Sequence, residues 1–573
     1  MGPHDQNWIT GSSQIYLRGI DGGTLVLING VPASFNNVNH LDMLNLDEVE
    51  RVEIVKGGGA VLYGSEALGG VVNIITKDQM KNSLRVAAGN KGQRDYAATI
   101  GMGKASLALG RNEFGSTGNM TERLGTKKIN GTAVPYYIGF GDSKKDHLAF
   151  NYKFDDRFKF SYMFNKKKYT TNYNDVNENI LQHFMYDDRE HFAQIAYNDE
   201  NGWDAKIYYN QRRIENPDYY VVNPTNVEWE KSDHKQYGLD TKKVWRSDKA
   251  TGLIGISAKR ETYKNDNQKF KTFGDSSSIL KDPAHFGTYA LNNYSVYGSY
   301  DRKLSRATNI IFSAREDFIR SEAGDYNEFL PQIQAITKFD EHNSAYASVG
   351  KSFRMPTFRN LYYASSVVVP NPDLEAEHGW NYEIGYKYSE NGRRLNLTAF
   401  RIDIKDQIVA VKNLVDNKSY QTNAAKYRNT GIELRYEQDV DKHFTYNVGA
   451  VFAKPQRMYK EGQAWVDTLG RYQINGGVNY VNRDFSAALN LSYWGNRFKN
   501  GVSSEKITVT EISSPLLVSN LHLGYNVAKN VTATFDVDNL FNRKDIANVG
   551  GTSNNNLYYT MGRTFRVGVN YNF

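Results

Sequence analysis

Cysteine is absent from this chain of 573 residues. That excludes a disulfide framework, a Cys-ligated zinc site and a thiol nucleophile. No stretch reaches the roughly 18 consecutive apolar residues of a membrane-crossing helix. The 11 histidines are scattered without metal-ligand spacing. Ser65-Glu66 has no general-base partner in the sequence, so the reading is of a protein that is not an enzyme and carries no cofactor. Charge of one sign is also scarce: the net charge is only +7, with both signs interspersed. The basic cluster Lys166–Lys168 lies in an Asn-rich stretch and reads as solvated loop charge, not a nucleic-acid patch. His183 and His191 flank Asp187, Asp188 and Glu190. That group reads as a solvated acidic external loop, with a cation-binding loop as the sharper alternative.

What is abundant is aromatic: 13% of residues, with 40 Tyr and 28 Phe. The mean hydropathy of -0.62 looks soluble, but a membrane β-barrel alternates lipid-facing and lumen-facing side chains, which keeps its average hydropathy low. Such alternation recurs from residue 83 onward. Leu148, Phe150, Tyr152 and Phe154 share one parity, as do Phe158, Phe160, Tyr162 and Phe164. Trp203 to Tyr209, Phe444 to Phe452 and Phe485 to Tyr493 repeat it, with mostly polar or small residues between. Asp155-Asp156 and Asn391-Gly392 read as tight turns, while Tyr169–Tyr186 and Tyr263–Thr288 read as long polar loops. The remaining length accommodates about 22 strands, the number found in plugged outer-membrane transporters. The last strand is the clearest, with Phe565, Val567, Val569, Tyr571 and Phe573 on one face. A large soluble β-sandwich would need that face to be polar.

The N-terminal part differs. Leu25–Ile28, Val49–Val55 and Val71–Ile75 are β-branched runs separated by glycine clusters, which predicts short strands joined by tight turns. One helical turn is expected near Leu41–Val49. The spacing Gly59 to Gly64 would suit a nucleotide loop, but Ser65-Glu66 stands where a phosphate loop needs Lys-Ser/Thr.

IYLRGI (15–20), LVLINGVP (25–32) and VERVEIVKGGGAVLYGSEALGGVVNIITK (49–77) resemble the plug domain of TonB-dependent outer-membrane receptors. DVDNLFNRKD (536–545) and GRTFRVGVNYNF (562–573) resemble the end of the same family. The resemblance implies an all-β membrane protein: an antiparallel barrel of about 22 strands (83–573) with a partial α+β plug (1–82) in its lumen. It implies an outer-membrane location, a monomer in contact with outer-membrane lipid, and TonB as energy-coupling partner. The expected ligand is a scarce iron chelate, siderophore or haem, with cobalamin as the alternative and a passive plugged porin as the rival class. Met1–Ser13 has neither the basic nor the apolar region of a signal peptide. Compared with the family, the TonB-contacting segment and the first part of the plug are expected to be missing.

Several residues then become candidates. Alternation puts Glu383 and Glu433 on the lumen face, opposite Tyr382, Ile384 and Tyr386 and opposite Ile432, Leu434 and Tyr436. Arg18 and Lys56 are the cations of the plug motifs, and the four together resemble the family's plug–barrel lock. The rival reading leaves both glutamates to lumenal water or to a barrel arginine such as Arg435. The plug loop PASFNNVNHLD (32–42) corresponds to one that meets ligand in the family, which nominates Phe35, Asn36, Asn37, Asn39 and His40. SFRMP (352–356) and NPDLEAE (371–377) resemble the FRAP and NPNL boxes of haem receptors. No histidine lies between them, so Tyr362 or Tyr363 stand as substitute iron ligands, against a plain reading as ordinary aromatics.

Overall fold

The computed structural model describes residues 15–573 except 16, 21, 37–43, 58–59, 130–131, 222–226, 230, 267, 271–278, 281–285, 365–367, 503–506, 513 and 551–555. Its N-terminal module is a sheet of four strands, β1 (Thr24–Ile28), β2 (Val31–Pro32), β3 (Val49–Lys56) and β4 (Gly70–Thr76), in the order β2-β1-β4-β3. The central pair β1 and β4 is parallel. Their sequences, TLVLI and GVVNIIT, are apolar nearly throughout and buried, as strands covered on both faces must be. The edge strand β3 is largely exposed. A single helical turn, α1 (Ala60–Tyr63), connects β3 to β4. A 3₁₀ turn at Leu46–Glu48 occupies the expected helical position.

From β5 (Ser83–Gly89) onward the chain forms a closed barrel of 22 antiparallel strands. It closes where the terminal strand Thr564–Asn572 pairs with β5. Alternation holds along it: Ile207, Ile256, Ile384, Phe452 and Val567 lie exposed on the outer face. At one end the turns are tight. Glu390 pairs with Arg393 across Asn391-Gly392, whose φ values of 47° and 75° make a type I′ turn.

The other end corrects the sequence reading. A membrane strand needs about 9–11 residues, yet Thr132–Lys153, Arg393–Lys412 and Ser419–Asp439 run for 22, 20 and 21. The strands project far beyond the bilayer. Tyr169–Tyr186 is therefore mostly ladder, shared by Phe158–Asn174 and Ile180–Asn198. Tyr263–Thr288 likewise contributes to the strands Ala250–Asp266 and Phe286–Lys303. Lys166–Lys168 is strand as well. Lys167 points inward, wholly buried, with Nζ 5.4 Å from the Tyr169 ring centre. The acidic group between His183 and His191 is strand too, with Asp187 bound by Arg189 and Asp188 by Arg212. Among the described residues no group of three or more His, Cys, Asp or Glu is arranged to hold a metal ion.

Candidate functional site at the plug–barrel interface

The N-terminal module sits in the lumen and is tied to the wall at several levels. The tightest tie is at Arg18, which has a left-handed backbone (φ 53°). This turn aims the side chain at the wall: Nη1 donates to Glu383 Oε1 at 2.6 Å, and Nε lies 3.4 Å from Glu433 Oε1. Lys56 Nζ donates to Glu433 Oε2 at 3.0 Å. All four residues nominated for the lock meet in one cluster, and Arg435 pairs elsewhere, with Glu437. Burial pulls the Arg18 guanidinium down, but Glu383 and Glu433 more than offset it, so its pKa stands above the usual arginine value.

Sequence reasoning missed the rest of this cluster. The Arg18 guanidinium lies 4.3 Å from the Phe400 ring centre. Its backbone carbonyl accepts from Tyr427 Oη at 3.1 Å and from Asn429 Nδ2 at 2.9 Å. Beside it, Ile20 and Leu68 of the plug pack on Phe400, Ile402, Ile404 and Tyr427 of the wall. The apolar, lumen-facing Phe400, Ile402 and Ile404 were the available signal. A wet lumen would not carry that run.

A second tie joins α1 to the barrel wall around Phe353 and Met355. Val61 packs with Ile319, Leu330, Phe353, Met355 and Ala376, and the Met355 N–H donates to Ser65 Oγ at 3.2 Å. The two boxes that resemble haem-receptor motifs are tied to each other. Arg354 is bonded to Glu377, which also accepts from the Ile408 N–H at 2.8 Å. A third tie is Glu48 Oε1 to His147 Nε2 at 2.6 Å, with His147 Nδ1 2.6 Å from Asn165 Oδ1.

Above these ties lies an aromatic stack. Phe35, read as a ligand-facing tip, is only 1% exposed. Its ring lies 6.2 Å from Phe192 and 5.1 Å from His234, because a bare phenyl ring gains more from burial than from water. Asn36 next to it has φ 53° and lines a small cavity of about 40 Å³ together with Ser65, Glu66, His234 and Lys259. Asn37, Asn39 and His40 lie outside the described residues. His234 packs on Tyr263 and Phe358. Phe358 opens the helix α2 (Phe358–Tyr362), which is capped by Thr357. At its end Tyr362 stacks face to face on Tyr289, with ring centres 3.7 Å apart. Tyr363 lies under the Arg359 guanidinium at 4.0 Å. Tyr362 is thus a stacking platform already held by its neighbour.

Two family models match the chain. One, described as TonB dependent receptor-like, beta-barrel, matches residues 130–540, and another, the TonB-dependent Receptor Plug Domain, matches residues 5–71. The chain belongs to the TonB-dependent receptors. Solved structures share the fold at low identity. A point variant of the ferric enterobactin receptor PfeA of Pseudomonas aeruginosa, in complex with enterobactin, is 17% identical with a TM-score of 0.73, covering 98% of this chain and 95% of that one. P. aeruginosa FpvA, bound to a heterologous pyoverdine, is 14% identical at 0.70, with 97% and 81% covered. The copper transporter OprC is 15% identical at 0.74, with 98% and 94% covered. As a receptor of this family the protein is a transmembrane β-barrel of the outer membrane, a transporter by fold and family, with TonB as the family's partner.

Proposed function

We propose that this receptor captures a ferric siderophore and that the Arg18–Glu383–Glu433–Lys56 cluster is the lock that holds the plug until import. The aromatic stack carries the substrate reading. Tyr289, Tyr362 and Tyr363 form its outer end, Phe35 of the plug its inner end, and Phe358, Tyr263 and His234 connect them. An anionic chelate that presents aromatic rings at its surface, such as a ferric catecholate, lays one of those rings on Tyr362 and meets the cation of Arg359. Its arrival is felt at Phe35 through contiguous rings. The relatives named for enterobactin and pyoverdine agree with this class. Haem draws less support from the described residues, because the Tyr362 hydroxyl is buried and not turned to solvent; His40 lies outside them. A passive channel is opposed by a plug bound through buried ion pairs and two apolar clusters.

Intrinsic fluorescence of the refolded chain provides the test, titrated separately with a ferric catecholate, a ferric hydroxamate, haemin and cyanocobalamin. Saturable quenching by a ferric siderophore, weakened about tenfold in Tyr362→Ala by loss of one stacking platform, is expected. Saturation by haemin or cyanocobalamin alone would defeat the reading.

A further inference from the structure

On the outer wall, three cations stand side by side. Lys166 is in register with Arg189, and Arg189 with Arg213, on adjacent strands. Parity fixes their face: Asn165, Glu190 and Asn210 on the same strands are buried toward the lumen, so these three point outward. The row continues through Asp146 to Arg111 on one side and through Asp233 to Lys264 on the other. That makes five cations against two carboxylates. Asp187 and Glu215, one step farther out, reach Arg189 and Arg213 at 2.8 and 3.3 Å, yet both arginine side chains remain more than 40% exposed. Like charges directly opposite one another on neighbouring strands repel. A row of three therefore favours an anion that bridges strands roughly 4.8 Å apart.

The surface beneath the row shows what carries that anion. Tyr162, Tyr209 and Tyr237 form the next aromatic row down. The hydroxyls of Tyr162 and Tyr209 point back toward the cations, at His191 and Gln211, both 2.9 Å away. Rings sunk into the apolar band with hydroxyls at its rim mark the edge of the bilayer. Phe158, at the tight-turn end of the same strand, lies about eight residues below Lys166, or roughly 20 Å of bilayer height on a tilted strand. The small side chains of Ala193 in the aromatic row and Ala258 in the outward row below it leave a groove of about 700 Å³, walled by Ile195, Ile207, Tyr209 and Tyr294 with Arg260 at its rim.

We propose that this wall is a binding site for a phosphate-bearing lipid of the outer leaflet. Its phosphate lies on Lys166, Arg189 and Arg213, and an acyl chain lies in the groove below. Charge selects the headgroup, and the groove distinguishes a lipid from a free anion. The test is native mass spectrometry of the full chain in mild detergent, titrated with diphosphoryl lipid A and with its dephosphorylated counterpart. Wild type is expected to retain the phosphorylated lipid about tenfold better, in line with several juxtamembrane cations acting together. The triple variant Lys166→Gln, Arg189→Gln, Arg213→Gln is expected to bring the two lipids to parity, while Lys166→Arg keeps the preference. Heat-modifiable gel mobility reports folding; if the triple variant fails it, Ala193→Trp, which fills the groove and leaves every cation, is expected to lose the lipid instead. No preference in wild type, an unchanged preference in both the triple and the groove variants, or displacement by millimolar inorganic phosphate would each overturn the proposal.

Discussion

The Arg18 guanidinium reaches Glu383 at 2.6 Å across the boundary between plug and barrel, with its side chain 1% exposed. A pair so buried is costly to break from one side, because the abandoned charge keeps its desolvation penalty, about 3–5 kcal/mol. Arg18→Glu and Glu383→Arg are each expected to lower the plug's stability by that order, read as a fall in urea midpoint at constant m-value. Their combination is expected to recover about 1–3 kcal/mol, the coupling of groups in direct contact. A double variant no better than the singles would show that the contact does not couple plug to wall.

Gly57 makes a second test of the same lock. A Cβ built there would come within 1.7 Å of Glu383 Oε1, and φ is +68°, which an L side chain adopts at a cost. Gly57→Ala is therefore expected to displace Glu383 and weaken the plug more than the roughly 1 kcal/mol of backbone strain alone. Adding Glu383→Ala removes the clash but not the strain. The second substitution should then destabilise less in the Gly57→Ala background than in wild type, and equal losses in both would sink the steric account.

Much of this was legible in the sequence, for physical reasons that also mark where it stopped. The apolar runs of β1 and β4 report burial directly, the alternation of Phe158 to Phe164 reports an outward apolar face, and the Asn391-Gly392 turn reports its φ > 0. Glu383 and Glu433 could be turned inward by parity alone. The long strands beyond the bilayer were hidden because neither face there meets lipid. The Tyr169–Tyr186 ladder is polar on both sides and carries no period-two signal. Phe35 is nominated as a tip because its loop resembles the one that meets ligand in the family; only the fold brings Phe192 and His234 onto it. Phe400, Ile402 and Ile404 needed the idea that part of the lumen wall is dry.

The boxes at Phe353 and Pro372 offer a clean separation of structure from ligand chemistry. Phe353 is wholly buried against Val61 and Met355. Phe353→Ala is expected to cost about 3–5 kcal/mol, as for other large-to-small core substitutions, measured as a lowered midpoint of unfolding. Any residual affinity for haemin should be the same in both proteins. A selective loss of haemin binding at unchanged stability would instead assign the boxes a ligand role.

Glu66 is expected to make the plug sensitive to pH. It sits at the turn after α1 with φ 77°. Burial pushes its carboxyl up to about 7, against the opposing pull of Lys259 and Arg354 and with a further push from Glu261. An acid whose pKa is higher folded than unfolded is bound more tightly to its proton in the folded state. Its contribution to docking is thus greatest below the unfolded value near 4.5 and falls as pH rises toward and through 7. Plug stability, followed by urea titration at a series of pH values, should decline across that window in wild type. Glu66→Gln, which keeps the shape and never ionises, should flatten the decline and be the more stable protein at pH 8. Parallel curves for the two would mean that the Glu66 carboxylate is paired well enough by Lys259 and Arg354 to stay ionised in the docked plug.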